Sequence, residues 1–165
     1  MDLVHKISNG EAVDPMDKEY SGESGAPNYH ELALRHFNVG NMKLDGGSSS
    51  EAIGEYRAAI ELWDEDARFY NNLGIAYRQR GDLGAAEENL KQAIQRDSRY
   101  RDAYSNLGLT LLDLEMYEEA VANFSTAIEI DPSFWYAYNG RGLAYWALGQ
   151  KDEALSDYEK LKSLQ

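Results

Sequence analysis

The chain of 165 residues has no cysteine. Disulfides, thiolate metal sites and a cysteine nucleophile are therefore excluded. Proline is scarce: Pro15 and Pro27 lie near the start, and Pro132 is the only one after them. The long stretch between tolerates helix nearly throughout. Cations are outnumbered, with 16 Lys and Arg against 29 Asp and Glu and a formal net charge of -13. Nucleic acids demand basic patches that displace counterions, so binding to DNA or RNA is not expected. An anionic membrane surface would repel the chain. No apolar run is long enough to span a bilayer, and the opening MDLVHKISNGEAVD lacks the core of a signal peptide. A cytoplasmic location is expected, with Met1 as the native start.

Groups for catalysis are equally sparse. The histidines are His5, His30 and His36. His30 and His36 are six apart and do not share a helix face, a poor metal pair. His30-Glu31 opens an H-E-x-x-H pattern, but Leu34 stands where its second His belongs. Gly140 and Gly142 fall inside a predicted helix, so no dinucleotide loop follows. Gly46 to Ser50 reads as a turn, since a phosphate loop needs a Lys and a preceding strand. Carboxylates such as Glu87-Glu88 and Glu118-Glu119 sit as solvated pairs on helix faces. No metal, no cofactor and no enzymatic activity are expected.

The chain divides near residue 28. Residues 1–27 are rich in Gly, Ser, Pro, Asp and Glu and show no sustained period. They cannot bury enough apolar surface to offset ordering entropy, which predicts a flexible acidic N-terminal tail. From 28 to 165 self-similarity dominates. Gly40, Gly74, Gly108 and Gly142 are spaced by 34 residues. Ala52, Ala86, Ala120 and Ala154 keep that step, as do Tyr56, Leu90, Phe124 and Tyr158. Ala59, Ala93 and Ala127 continue it, with Leu161 fourth. The units run about 33–66, 67–100, 101–134 and 135–165.

Each unit reads as two amphipathic helices. Phe69, Leu73, Ile75, Ala76 and Tyr77 recur at helical spacing; Gly81-Asp82 then breaks the helix and offers a cap; Ala86, Leu90, Ala93 and Ile94 form the next stripe. Asn28 with Glu31, and Ser48 with Glu51, fit capping boxes. Helices are predicted over 29–45, 48–63, 67–80, 83–96, 101–114, 117–130, 134–148 and 151–163.

A period of 34 with aromatic, Leu-Gly, Ala, aromatic and Pro positions resembles the tetratricopeptide repeat family. Tyr104, Leu107, Gly108, Leu111, Ala120, Phe124, Ala127 and Pro132 match it best. His36 and Lys43 depart from it in the first unit, and Arg141 replaces the usual Leu in the fourth. The resemblance implies an all-α fold, a right-handed α-solenoid of four helix pairs. It also implies a scaffold or adaptor that holds a peptide or helix of another protein in a concave groove.

That groove is lined in the family by the first helix of each pair. Carried over, it receives Leu34, Phe37, Asn38, Asn41 and Leu44; then Arg68, Asn71, Asn72, Ile75, Arg78 and Gln79; then Asp102, Ser105, Asn106, Leu109, Leu112 and Asp113; and finally Tyr136, Asn139, Gly140, Leu143 and Trp146. Asn38, Asn72 and Asn106 share one position and predict a ladder of amides facing a peptide backbone, or else satisfying neighbouring helices or water. Arg68 and Arg78 are expected to hold an acidic side chain. A family carboxylate clamp for chaperone C-termini is disfavoured, because Phe37, Asp102 and Asn106 occupy the places of its cations. No capping helix follows the last predicted helix, and its stripe of Leu155, Tyr158 and Leu161 offers the alternative of a homo-oligomer.

Overall fold

A computed structural model describes residues 28–164. The predicted tail lies outside them. Among the described residues eight helices follow one another: α1 (Tyr29–Asp45), α2 (Ser49–Leu62), α3 (Ala67–Arg80), α4 (Leu83–Arg96), α5 (Arg101–Asp113), α6 (Tyr117–Ile130), α7 (Trp135–Ala147) and α8 (Lys151–Ser163). No strand occurs among the described residues. Five of the eight spans coincide with the predicted ones. The other three, α2, α5 and α7, are shorter by a residue or two at their ends.

Caps are fewer than the sequence suggests. The Asn28 side chain accepts from the Glu31 backbone N–H at 3.0 Å, but the Glu31 carboxylate pairs with Arg35 instead of closing a box. Ser48 makes no side-chain cap, and Glu51 pairs with Lys43 across the α1–α2 turn. Asp82 likewise leaves its helix uncapped and binds Arg80. Long cations nearby compete for these carboxylates. Asp66 does cap α3, accepting from the Arg68 N–H at 2.9 Å.

The turns within pairs share one device. Gly47, Gly81 and Gly149 take φ of 78°, 92° and 76°, and Glu115 takes the equivalent place at φ 60°. These four positions are 34 apart, a column as regular as those in the helices.

Packing follows small-residue columns. Ala52, Ala86, Ala120 and Ala154 are wholly buried, as are Tyr56, Leu90 and Phe124. A Cβ on Gly40 would lie 2.6 Å from the Tyr56 ring, one on Gly74 2.6 Å from Leu90, and one on Gly108 2.8 Å from Phe124. These glycines let the two helices of a pair approach over a large side chain. Gly140 does the same from the next unit, so Phe124 is enclosed on two sides by helix backbone. Gly140 therefore faces the core, not the groove.

Helices touch chiefly close neighbours in the chain. Successive first helices (α1, α3, α5, α7) contact one another, while successive second helices do so more weakly. An array whose first helices crowd together is curved toward them, so they line the inner face.

Candidate partner-binding groove

The inner face combines an amide network, neutralised cations and an exposed apolar end. The amides form one connected row. Asn106 Nδ2 donates to Asn71 Oδ1 at 2.9 Å, Asn71 Nδ2 donates to Asn72 Oδ1 at 3.0 Å, and Asn72 Nδ2 donates to Asn41 Oδ1 at 2.8 Å. The Tyr56 hydroxyl completes it, donating to Asn41 Oδ1 at 2.8 Å. The row thus links α5, α3, α1 and α2. It differs from the predicted ladder in two ways. Asn71, itself buried, is a member, and Asn38 is exposed and outside it. Burial pushes the Tyr56 hydroxyl up to about 12.

Phe37 is only 8% exposed and packs on Phe69 and Tyr56, with ring centroids 5.0 and 5.8 Å away. It belongs to the core of the first unit instead of the groove wall. The expected free cations are engaged as well. Arg68 grips Asp66 through Nε at 2.9 and 3.1 Å, and lies 5.7 Å from the Phe37 ring. Burial alone would raise the Asp66 carboxyl, but the Arg68 side chain and backbone N–H hold it below the ordinary range. Arg78 donates to Asp113 at 2.6 Å, tying α3 to α5 along the rim.

Apolar surface is concentrated toward α7. Tyr136, Leu143 and Trp146 are 56%, 47% and 57% exposed and lie along one stripe of that helix. Ile75 on α3 and Leu109 on α5 are half-buried. Trp135 stacks on Tyr136 with centroids 3.6 Å apart, a pairing the sequence reading did not include. A hollow of about 310 Å3 opens between α5 and α7, lined by Asp102, Ser105, Asn106, Leu109, Phe134, Tyr136 and Asn139. Phe134 was missed as a lining residue. Its place directly after Pro132 and Ser133, just before α7, was the available signal.

The two histidines among the described residues are occupied structurally. His30 packs on Trp63 with centroids 5.0 Å apart, and His36 Nδ1 lies 2.7 Å from Glu55 Oε2. Among the described residues no group of three or more His, Asp or Glu is placed to hold a metal, and no helix is long and apolar enough to cross a membrane.

At the far end, the stripe expected for self-association is divided. Leu155 is 54% exposed, whereas Tyr158 packs over Gly142, where a Cβ would lie 3.0 Å away. Leu161 is half-buried. Lys162 occupies the column that holds Ile60, Ile94 and Ile128 in earlier units. Arg141, anomalous in the sequence, reaches Asp157 through Nε and Nη2 at 2.8 and 2.7 Å and Ser125 Oγ through Nη1 at 2.9 Å. Asp157 is almost wholly buried, and its bonds raise the Arg141 guanidinium further.

Comparison with known proteins agrees with this geometry. A family model described as "TPR repeat" matches residues 40–79, 74–115 and 111–149, and one described as "Tetratricopeptide repeat" matches 136–165. A TPR repeat-containing protein of Pseudomonas aeruginosa is 35% identical over 60 residues, covering 36% of this chain and 24% of its own length. The chain thus spans about a quarter of that curated relative. Among solved structures, a crystal structure of MamA aligns with TM-score 0.75 at 27% identity, covering 99% of this chain and 95% of MamA. A second MamA structure aligns at 0.74 with 30% identity over 80% of this chain and 72% of that one. The first TPR of Spaghetti (RPAP3), bound to the HSP90 peptide SRMEEVD, aligns at 0.71 with 25% identity over 73% of this chain and 95% of its own. Repeat arrays of this kind serve as protein-interaction scaffolds. On its repeats, its helix pairs and these matches, the chain belongs to the tetratricopeptide repeat family.

Proposed function

We propose that this scaffold holds a peptide or helix of a partner protein along the inner face of α3, α5 and α7, and acts by binding instead of catalysis. One observation carries the reading: the solvent-exposed stripe of Tyr136, Leu143 and Trp146 on α7. Large aromatics exposed together on one concave wall bury apolar area when a partner docks, and such patches mark interaction sites. The bound peptide of the RPAP3 neighbour supports a peptide as occupant, though the chemistry here differs. Arg68 and Arg78 are spent on Asp66 and Asp113, so no free cation waits for a terminal carboxylate among the described groove residues.

The test is affinity capture from source lysate with the parent chain and with Tyr136→Ser and Trp146→Ser. Both side chains are more than half exposed, so the variants are expected to keep their helical circular dichroism. Loss of the same captured protein from both variants is the expected outcome. Undiminished capture by both would place the partner elsewhere on the array.

A further inference from the structure

We infer that the hollow between α5 and α7 takes an arginine side chain of the partner segment. The inference rests on the groove reading above and adds the chemistry of the group that enters it.

The lining has three kinds of group, and each suits a guanidinium. The first is charge. Asp102 contributes a carboxylate to the hollow with its side chain 43% exposed. Its cationic neighbour, Arg101, approaches only to 3.6 Å, beyond hydrogen-bond range, while the guanidinium tip binds Asp131 and lies over the Phe134 ring at 4.4 Å. One cation therefore serves two carboxylates, and the local sum is negative. The second is amide acceptors. Asn106 spends its Nδ2 on Asn71, which leaves its Oδ1 without a partner among the described residues. Asn139 makes no side-chain hydrogen bond there at all. Carbonyl and carboxylate oxygens accept from the five N–H donors of a guanidinium, which presents them in a fixed plane.

The third is the aromatic wall. Phe134 and Tyr136 line the hollow with centroids 5.7 Å apart. Arg101 already lies over Phe134, and Trp135 over one face of Tyr136, so a planar cation stacks against the half-exposed Tyr136 ring, and the adjoining Leu109 covers its methylene stem. A Lys ammonium would satisfy the charge but not the stacking plane or several acceptors at once. A carboxylate would face Asp102. The chain's formal charge of -13 also favours a basic segment over longer range.

The probes are three capped tripeptides, acetyl-Leu-Arg-Leu-amide, its citrulline analogue and its Glu analogue, titrated into the full isotope-labelled chain and followed by NMR. Citrulline keeps the shape of arginine and removes its charge. The arginine peptide is expected to shift the side-chain amides of Asn106 and Asn139 and the Tyr136 resonances, and to bind roughly tenfold more tightly than the citrulline peptide. Asp102→Asn should erase most of that difference, and Asp102→Lys should turn the preference toward the Glu peptide. Equal affinity for arginine and citrulline in the parent chain would overturn the inference. So would shifts confined to other surfaces, or no shift from any probe up to its solubility limit. Shifts at these residues that depend on protein concentration without peptide would assign the hollow to a second copy and likewise overturn it. Equal binding of all three probes along α3, α5 and α7 would remove the arginine preference and leave the groove reading intact, while undiminished capture by Tyr136→Ser and Trp146→Ser removes the groove reading itself.

Discussion

Glu115 sits at a left-handed backbone position that glycine fills in the other three units. An L side chain there costs about 1–2 kcal/mol, against which glycine loses about 0.5–1 kcal/mol in added chain entropy on folding. Glu115→Gly is therefore expected to stabilise the protein by about 0.5–1 kcal/mol, read from urea unfolding midpoints. Gly108→Ala acts in the opposite direction. Its methyl would lie 2.8–2.9 Å from Phe124, a ring also pressed by Gly140 and unable to retreat. A loss of about 1–3 kcal/mol is expected by the same measurement. The Gly108 column was legible because its spacing coincides with the repeat. The turn column carrying Glu115 was less so, because one of its four members is not glycine and the strain becomes visible only in the backbone angle.

At the scale of elements, helix boundaries could be read from apolar spacing and turn residues, since local periodicity determines which face packs. Partners across units could not. The amide row joins Asn106 to Asn71, not to Asn72, and a repeat period carries no information on which side chains meet across units. Phe37 shows the same limit. A family position assigned it to the groove, yet a phenyl ring there fills the gap between Tyr56 and Phe69. Arg141 and Asp157 form the least expected joint, tying α7 to α8, with Ser125 of α6 added. Removing one member strands a buried charge, so Asp157→Ala is expected to cost about 3 kcal/mol. Replacing both by Leu should recover most of that loss, because the paired charges were themselves costly to desolvate. Thermal unfolding of the parent chain and these two variants checks the order.

For the molecule as a whole, pH and charge set the working window. Folded Tyr56 keeps its proton to about pH 12, whereas an unfolded tyrosine releases it near 10. A raised folded value means the stabilisation is complete below pH 10 and is lost as pH rises from there toward 12. Stability is thus expected to fall across that interval, and ultraviolet tyrosinate absorbance should rise in step with unfolding for Tyr56. Tyr56→Phe should remove that ionisation, although the bond to Asn41 is lost with it.

The short reach of the contacts has a kinetic consequence. The main helix contacts run to the next or next-but-one helix along the chain. Folding therefore never waits for distant segments to find each other, and the loops to be closed are short, with correspondingly small entropic barriers. Any adjacent pair of units can serve as a nucleus from which the array grows in either direction. A chain built this way is expected to refold within milliseconds in stopped-flow experiments, without the slow phases of proteins dominated by remote pairings.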